Sequence, residues 1–189
     1  MGEATIGRVT GVLLVGGASE RFGSPKPLAR LRGETLAERG WRTLGEAFPL
    51  RLAVGKGDLE LPFDVVVEPP EPRAPIAGVV AGLRAATTEL AVFVPVDCPL
   101  VTPTLLRELG EAHAITQTGP LPGAYAKADL PELERRLAAG EYSLRGLNPR
   151  VVESDPRLLV NANTPSELSA LEQHLAALEQ HRPRVGRDL

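Results

Sequence analysis

Residues 9–15, VTGVLLV, make an apolar run as long as one buried strand, and Gly16 and Gly17 end it abruptly. A β-branched run that meets glycine at once reads as a strand emptying into a loop that a ligand can approach closely. That loop carries Ser19, Arg21, Gly23 and Lys26. Glycines let backbone N–H groups converge on an anion, and Arg21 and Lys26 add fixed positive charge, so phosphate is the expected ligand. The plainer alternative is a tight glycine-rich turn with two solvated basic residues. Two familiar phosphate loops are excluded by spacing. A Walker loop needs its second glycine directly before Lys-Ser or Lys-Thr, but Gly23 is followed by Ser24, Pro25 and Lys26. A dinucleotide fingerprint needs G-x-G-x-x-G opening a helix, and Pro25 and Pro27 lie where that helix would run.

Strand and helix patterns alternate along the rest of the chain. Residues 35–48 carry Leu36, Trp41, Leu44 and Phe48 at helical spacing behind Thr35, a good N-cap. Residues 50–54 and 64–67 read as short strands. Four prolines make 68–75 a loop. Residues 75–86 read as a helix with Gly78 and Gly82 on one face, able to lie close against a strand or a nucleotide. Residues 91–94, AVFV, form a further strand, and Thr102 with Pro103 opens a helix through 113. Strands are expected at 114–116, 121–126, 150–153 and 158–160, and helix at 129–139, with one turn more at 143–147. Thr164, Pro165 and Glu167 mark the start of a last helix to about 179. The alternation predicts an α/β fold, a mainly parallel sheet with helices on both faces, joined by mixed or antiparallel pieces from 121 onward. Ligands of such sheets sit beyond the carboxyl ends of the strands, which brings the Gly16 loop, Asp97 and the 161–163 loop to one edge.

At 189 residues the chain is read as one domain, with its core over about 9–179 and a frayed tail at 182–189. A net charge of −3 gives no polybasic footprint, so neither nucleic acid nor an anionic membrane is an expected partner, and any basic site is local. No apolar run reaches the roughly 20 residues of a membrane span, and the first residues lack the pattern of a signal peptide. Cys98 is the single cysteine, which excludes an internal disulfide and makes the cytoplasm the default location.

Asp97 is the strongest single candidate for chemistry. It follows AVFVP at the tip of a buried strand, where a carboxylate is costly unless something compensates it. A bound cation would do so, because Mg²⁺ is typically held by one or two carboxylates plus substrate phosphates. The simpler role is a turn-capping aspartate. Cys98 beside it reads as a small buried hydrophobe and not as a nucleophile. His113, His174 and His181 form no metal-ligand spacing.

The first loop resembles the signature L-x-G-G-x-S-x-R-(hydrophobic)-G-x-x-K of nucleotidyltransferases of the molybdenum cofactor guanylyltransferase type. It matches at Leu14, Gly16, Gly17, Ser19, Arg21, Phe22, Gly23 and Lys26. The stretch from Phe93 to Leu100 is similar to that family's (hydrophobic)-(hydrophobic)-P-x-D-x-P-(hydrophobic) pattern, with Asp97 as its aspartate. Pro75, Ile76, Ala77 and Gly78 resemble its G-P-L-x-G stretch, and Asn161 to Pro165 its late N-x-N-T-P signature. The likeness runs over about 10–179. It implies a single-domain, three-layer, Rossmann-like nucleotidyltransferase. The implied reaction joins GTP and molybdenum-charged molybdopterin into a guanine dinucleotide, with pyrophosphate released and Mg²⁺ as cofactor. Accessory and molybdoenzyme proteins are candidate partners.

By the same resemblance, Leu14, Gly16, Gly17, Ala18, Ser19, Lys26, Glu68, Gly78 and Asp97 face the nucleotide. Arg21, Lys26 and Asp97 carry catalysis, Asp97 holds the metal, and Asn161 and Asn163 face the acceptor. Two departures fall where the family defines its base. Lys56 follows Val54 and Gly55 where an asparagine is frequent, and Glu68 is followed by Pro69 where Glu-Asp is frequent. Against them, the cytidylyltransferase branch reads A-A-G where this chain reads V-G-G, so Gly16 favours guanine. The alternatives are a molybdopterin cytidylyltransferase, a sugar-phosphate nucleotidyltransferase and, in a different class, a non-catalytic GTP- or cofactor-binding module.

Overall fold

The computed structural model describes residues 8–16, 25–57, 59–147 and 150–180. Gly17, Ala18, Ser19 and Arg21, and the tail at 182–189, lie outside the described residues. Strand β1 (Val9–Leu14) is buried along its whole length. It is flanked by β4 (Leu50–Gly55) and β6 (Leu90–Pro95), both parallel to it, and β5 (Val65–Val67) adds parallel to β4. The full order is β5-β4-β1-β6-β8-β7-β9, with β7 Ile115–Thr116, β8 Gly119–Ala126 and β9 Val151–Val152. β8 runs antiparallel to β6 and β7, so the expected change of direction after 121 is present.

Period-two alternation in the central strands assigns their side chains to two cores. Leu13, Ala53, Val92 and Val94 point to one face. There they meet α1 (Leu36–Ala47), α3 (Pro103–Ala112) and α5 (Pro165–Gln180), through Leu36 and Leu44, Leu105 and Leu109, and Leu168 and Leu171. Val12, Leu14, Val54 and Phe93 point to the other face, covered by α2 (Pro75–Ala85) and α4 (Leu130–Ala138) through Ile76, Val79, Leu83 and Leu133. The result is the three-layer arrangement that the alternating pattern predicts. Gly82 is needed for it. A Cβ there would stand 2.6 Å from Phe93 and 3.1 Å from Val12, so α2 lies closer to the sheet than any side chain would allow.

The helix starts follow their caps. Thr35 and Glu38 close a capping box at α1, and Thr102 accepts from Leu105 N at α3. Two expected elements differ. Residues 143–147 form no helical turn, because Ser143 Oγ accepts from Arg145 N and Gly146 has φ +79°. The carbonyls of Ser143 and Arg145 accept instead from Arg136 Nη1 at 2.9 Å each. Side-chain-to-backbone bonds of this kind compete with helix. The strand expected at 158–160 is part of a 3-10 turn, Pro156–Leu159, started by Pro156 and by the Asp155 carboxylate accepting from Arg157 N. A hairpin of two-residue strands, β2 (Arg30–Leu31) and β3 (Glu34–Thr35), is not foreshadowed by the sequence pattern. Its turn residues Arg32 and Gly33 both have positive φ, as a two-residue hairpin of this twist demands.

Candidate active site

From β1 the chain steps outward to β4 and β5, then returns through α2 to β6 on the other side of β1. The order of strands therefore reverses between β1 and β6, and a crevice opens beyond their carboxyl ends. A cleft of about 300 Å³ lies there. Its walls bring together Leu14, Gly16, Lys26, Glu68, Gly78 and Asp97, six of the residues singled out in the sequence. Asn163 is joined to it through a hydrogen bond from Lys26, whereas Asn161 bonds to Cys98, outside the cleft lining. The cleft spans the ends of four strands, β6 to β5, about 14 Å at the usual strand spacing.

At the β6 end stand a carboxylate and an ammonium. Asp97 follows the strand by two residues, and Lys26 comes from a 3-10 turn, Lys26–Leu28, with Pro25 as its cap. Lys26 Nζ lies 3.3 Å from Asp97 Oδ2 and donates to Asn163 Oδ1 at 2.9 Å. Both side chains are largely covered yet open to the cleft, at 15% and 22% exposure. The Asp97 turn is held rigidly by its backbone. Val96 N donates to Leu14 O, Cys98 N to Pro95 O, and Ala162 N to Asp97 O at 2.8 Å. Arg39 Nε, from α1, donates to Pro99 O at 2.7 Å. The sequence rationale for Asp97, a buried carboxylate at a strand tip, thus has a compensating charge in Lys26.

Cys98 is buried beside this pair, with its Sγ donating to Asn161 Oδ1 at 3.0 Å. Burial, reinforced by the neighbouring Asp97 charge, pushes its thiol pKa well up from the ordinary value. A thiol held neutral is no nucleophile. Cys98 is therefore expected to resist iodoacetamide in the folded protein at about pH 8 and to label fully once unfolded in guanidinium. Rapid alkylation of the folded protein would show a thiolate that this packing does not permit.

The other end of the cleft is built from β4 and β5. Glu68, just after β5, is 7% exposed and pairs with Lys56, just after β4, at 3.3 Å. Lys56 Nζ also donates to Pro69 O. The carboxylate lies between two glycines. A Cβ on Gly16 would stand 2.4 Å from Glu68 Oε1, and one on Gly78 would stand 3.2 Å from Oε2. The Glu68 carboxylate thus lies directly over Gly16, where a side chain would stand. Two further basic residues line the cleft beyond the expected site residues, Lys56 and Arg73. Lys56 carries the same mark as the first loop, a strand ending on glycine, here Gly55 and Gly57. Arg73 sits in the proline-rich connection and has no such mark.

A strand-tip aspartate and a lysine that follows β1 thus stand paired at a cleft on the switch point of the sheet. Residues 11–147 match the model of the MobA-like NTP transferase domain. The chain belongs to the MobA-like NTP transferase family. A molybdenum cofactor guanylyltransferase from Burkholderia vietnamiensis is 31% identical, with 86% of this chain and 95% of that protein covered. A probable molybdenum cofactor guanylyltransferase from Chloroflexus aggregans is 28% identical over 88% of this chain and 95% of its own. The solved structure of molybdopterin-guanine dinucleotide biosynthesis protein A from Archaeoglobus fulgidus superposes with a TM-score of 0.72 at 24% identity, covering 89% of this chain and 99% of that one. That likeness shows the shared fold. Among the described residues no helix is long and apolar enough to cross a membrane.

Proposed function

We propose that this protein transfers GMP from GTP to molybdenum-charged molybdopterin, forming the guanine dinucleotide form of the cofactor and releasing pyrophosphate. The observation that carries the reading is the Lys26–Asp97 pair at the switch-point cleft of a chain that is a family member over most of its length. The terminal phosphate of molybdopterin attacks the α-phosphorus of GTP in line. One P–O bond forms, and the bond from the α-phosphorus to the bridging oxygen breaks, leaving pyrophosphate. The nucleophile is already an anion, so no general base is needed, and the protein contributes alignment and charge.

Lys26 places its ammonium where the triphosphate crosses the end of β1. Arg21 and the N–H groups near Gly17, Ala18 and Ser19 are assigned to the same phosphates. The donor set suits a metal shared with substrate. Among the described residues no group of three ligating side chains exists to cage an ion, but Asp97 offers hard carboxylate oxygens at the cleft wall. Asp97 would hold Mg²⁺, which when bound neutralises charge on the triphosphate and on the leaving pyrophosphate.

With the phosphates at Lys26 and Asp97, the base falls toward β4 and β5. Leu14 and Gly78 supply an apolar wall there, and Glu68 and Lys56 supply an acceptor and a donor side by side. Guanine presents the complement, a carbonyl oxygen beside N–H groups. Cytosine places an amino group where guanine has its carbonyl. The test is pyrophosphate release with molybdenum-charged molybdopterin and Mg²⁺, comparing GTP with CTP. Release with GTP, about 5- to 150-fold faster than with CTP, is expected, since a donor or acceptor left unpaired costs about 1–3 kcal/mol. Turnover of CTP in preference would assign the cytidylyl reaction instead, and binding of GTP without release would leave a non-catalytic module. On this reading the enzyme works in the cytoplasm.

A further inference from the structure

The carboxamides of Asn161 and Asn163 turn back onto the chain. Asn161 Oδ1 accepts from Cys98 Sγ at 3.0 Å, and Asn163 Oδ1 accepts from Lys26 Nζ at 2.9 Å. Between them, Ala162 N donates to the Asp97 carbonyl at 2.8 Å. Ala162 and Asn163 thus hold the two members of the pair at the β6 end of the cleft, and Asn161 holds Cys98 beside it. We infer that residues 161–163 are a brace in which Asn163 acts as a positioning residue, holding the Lys26 ammonium against Asp97 instead of binding the acceptor. The inference rests on the nucleotidyl-transfer reading for what the held ammonium does.

The brace has a firm origin. Asn163 N and Thr164 N both donate to Glu167 Oε2, at 2.7 and 3.0 Å, and Glu167 N completes the reciprocal cap with Thr164 by donating to Thr164 Oγ1. Glu167 opens α5, whose Leu168 and Leu171 are buried in the core. Packing of α5 therefore fixes Asn163, and Asn163 fixes Lys26. A lysine is a point charge on a flexible four-carbon stem, and the Asp97 contact at 3.3 Å is long for a charge-assisted hydrogen bond. The shorter bond, to Asn163, supplies the tighter constraint. A neutral amide does this without adding a negative charge that would repel phosphate.

Two measurements test the brace. In the first, the protein is labelled with ¹³C-lysine and no substrate is added. Lys26, Lys56 and Lys127 are the three lysines, so the signals are few, and Lys26→Arg assigns one of them. Asn163→Ala is expected to shift the Lys26 signal and leave Lys127 unmoved. A Lys26 signal that stays in place overturns the brace. The second is a kinetic cycle with Asn163→Ala, Lys26→Ala and the double variant. We expect Asn163→Ala to lower kcat about tenfold with the acceptor KM nearly unchanged, and to have no further effect once Lys26 is gone. A raised acceptor KM with intact kcat, or effects that simply add, would return Asn163 to the acceptor. If the parent protein releases no pyrophosphate from GTP, the functional reading fails, while the substrate-free spectra still decide the brace.

Discussion

Asp97→Asn is expected to lose about 100-fold or more in kcat/KM for GTP, the scale on which metal-site changes act, while the folded structure survives. The two halves of this expectation have separate causes. Activity depends on the carboxylate, because an amide offers the cleft one neutral acceptor where two charged oxygens stood. Stability depends on the backbone of the same turn. The bonds from Val96 N to Leu14 O, from Ala162 N to Asp97 O and from Cys98 N to Pro95 O do not involve the side chain. What the substitution removes is one ion pair, partly open to solvent, with Lys26. Such pairs contribute about 0–1 kcal/mol, so Tm should move by no more than about 4 °C. Thermal denaturation and pyrophosphate release on the same preparation check both halves. Full activity in the variant would remove Asp97 from the mechanism. A collapse of Tm would mean that the carboxylate, and not the turn, holds this edge together.

Much of this site is legible in the amino-acid sequence, for a physical reason. Strand tips announce themselves by an apolar run that stops, and VTGVLLV before Gly16 and AVFVP before Asp97 both stop sharply. An α/β sheet then brings its strand tips to one edge whatever lies between them, so Lys26 and Asp97 meet across 71 residues of chain. Caps are equally readable, because Thr35, Thr102 and Thr164 act on neighbours three residues away. What stays hidden depends on contacts distant in sequence or on competition at single residues. The Glu68 carboxylate over Gly16 follows from neither segment alone. The bond between the Asn163 carboxamide and Lys26 joins residues 137 positions apart. At 143–147 the apolar spacing suits a helix, but Arg136 takes the carbonyls that the helix would need. The β2–β3 hairpin escapes because two-residue strands have no period to detect.

Lys26→Ala is expected to be nearly as damaging as Asp97→Asn, through two losses at once. The first is a charge-assisted contact to the triphosphate, about 1.5–3 kcal/mol, or roughly 10- to 150-fold in kcat/KM. The second concerns Asp97. With its counter-charge gone, the carboxylate remains at the cleft wall, only 22% exposed, and faces the incoming phosphates as a like charge. Binding of GTP should therefore weaken more than the lost contact alone predicts. Lys26→Arg should not restore the parent rate, because a planar guanidinium cannot take the place of a compact ammonium between Asp97 Oδ2 and Asn163 Oδ1. The double variant Lys26→Ala/Asp97→Asn separates the two losses. If repulsion from the orphaned carboxylate matters, GTP affinity in the double variant exceeds that of Lys26→Ala alone, even as turnover stays low. Equilibrium binding of GTP to the parent and the three variants, alongside steady-state kcat and KM, gives the comparison. Unchanged kcat/KM in Lys26→Ala would make the lysine a structural partner of Asp97 and nothing more, and affinities that fall further in the double variant would show that Asp97 attracts the substrate without Lys26.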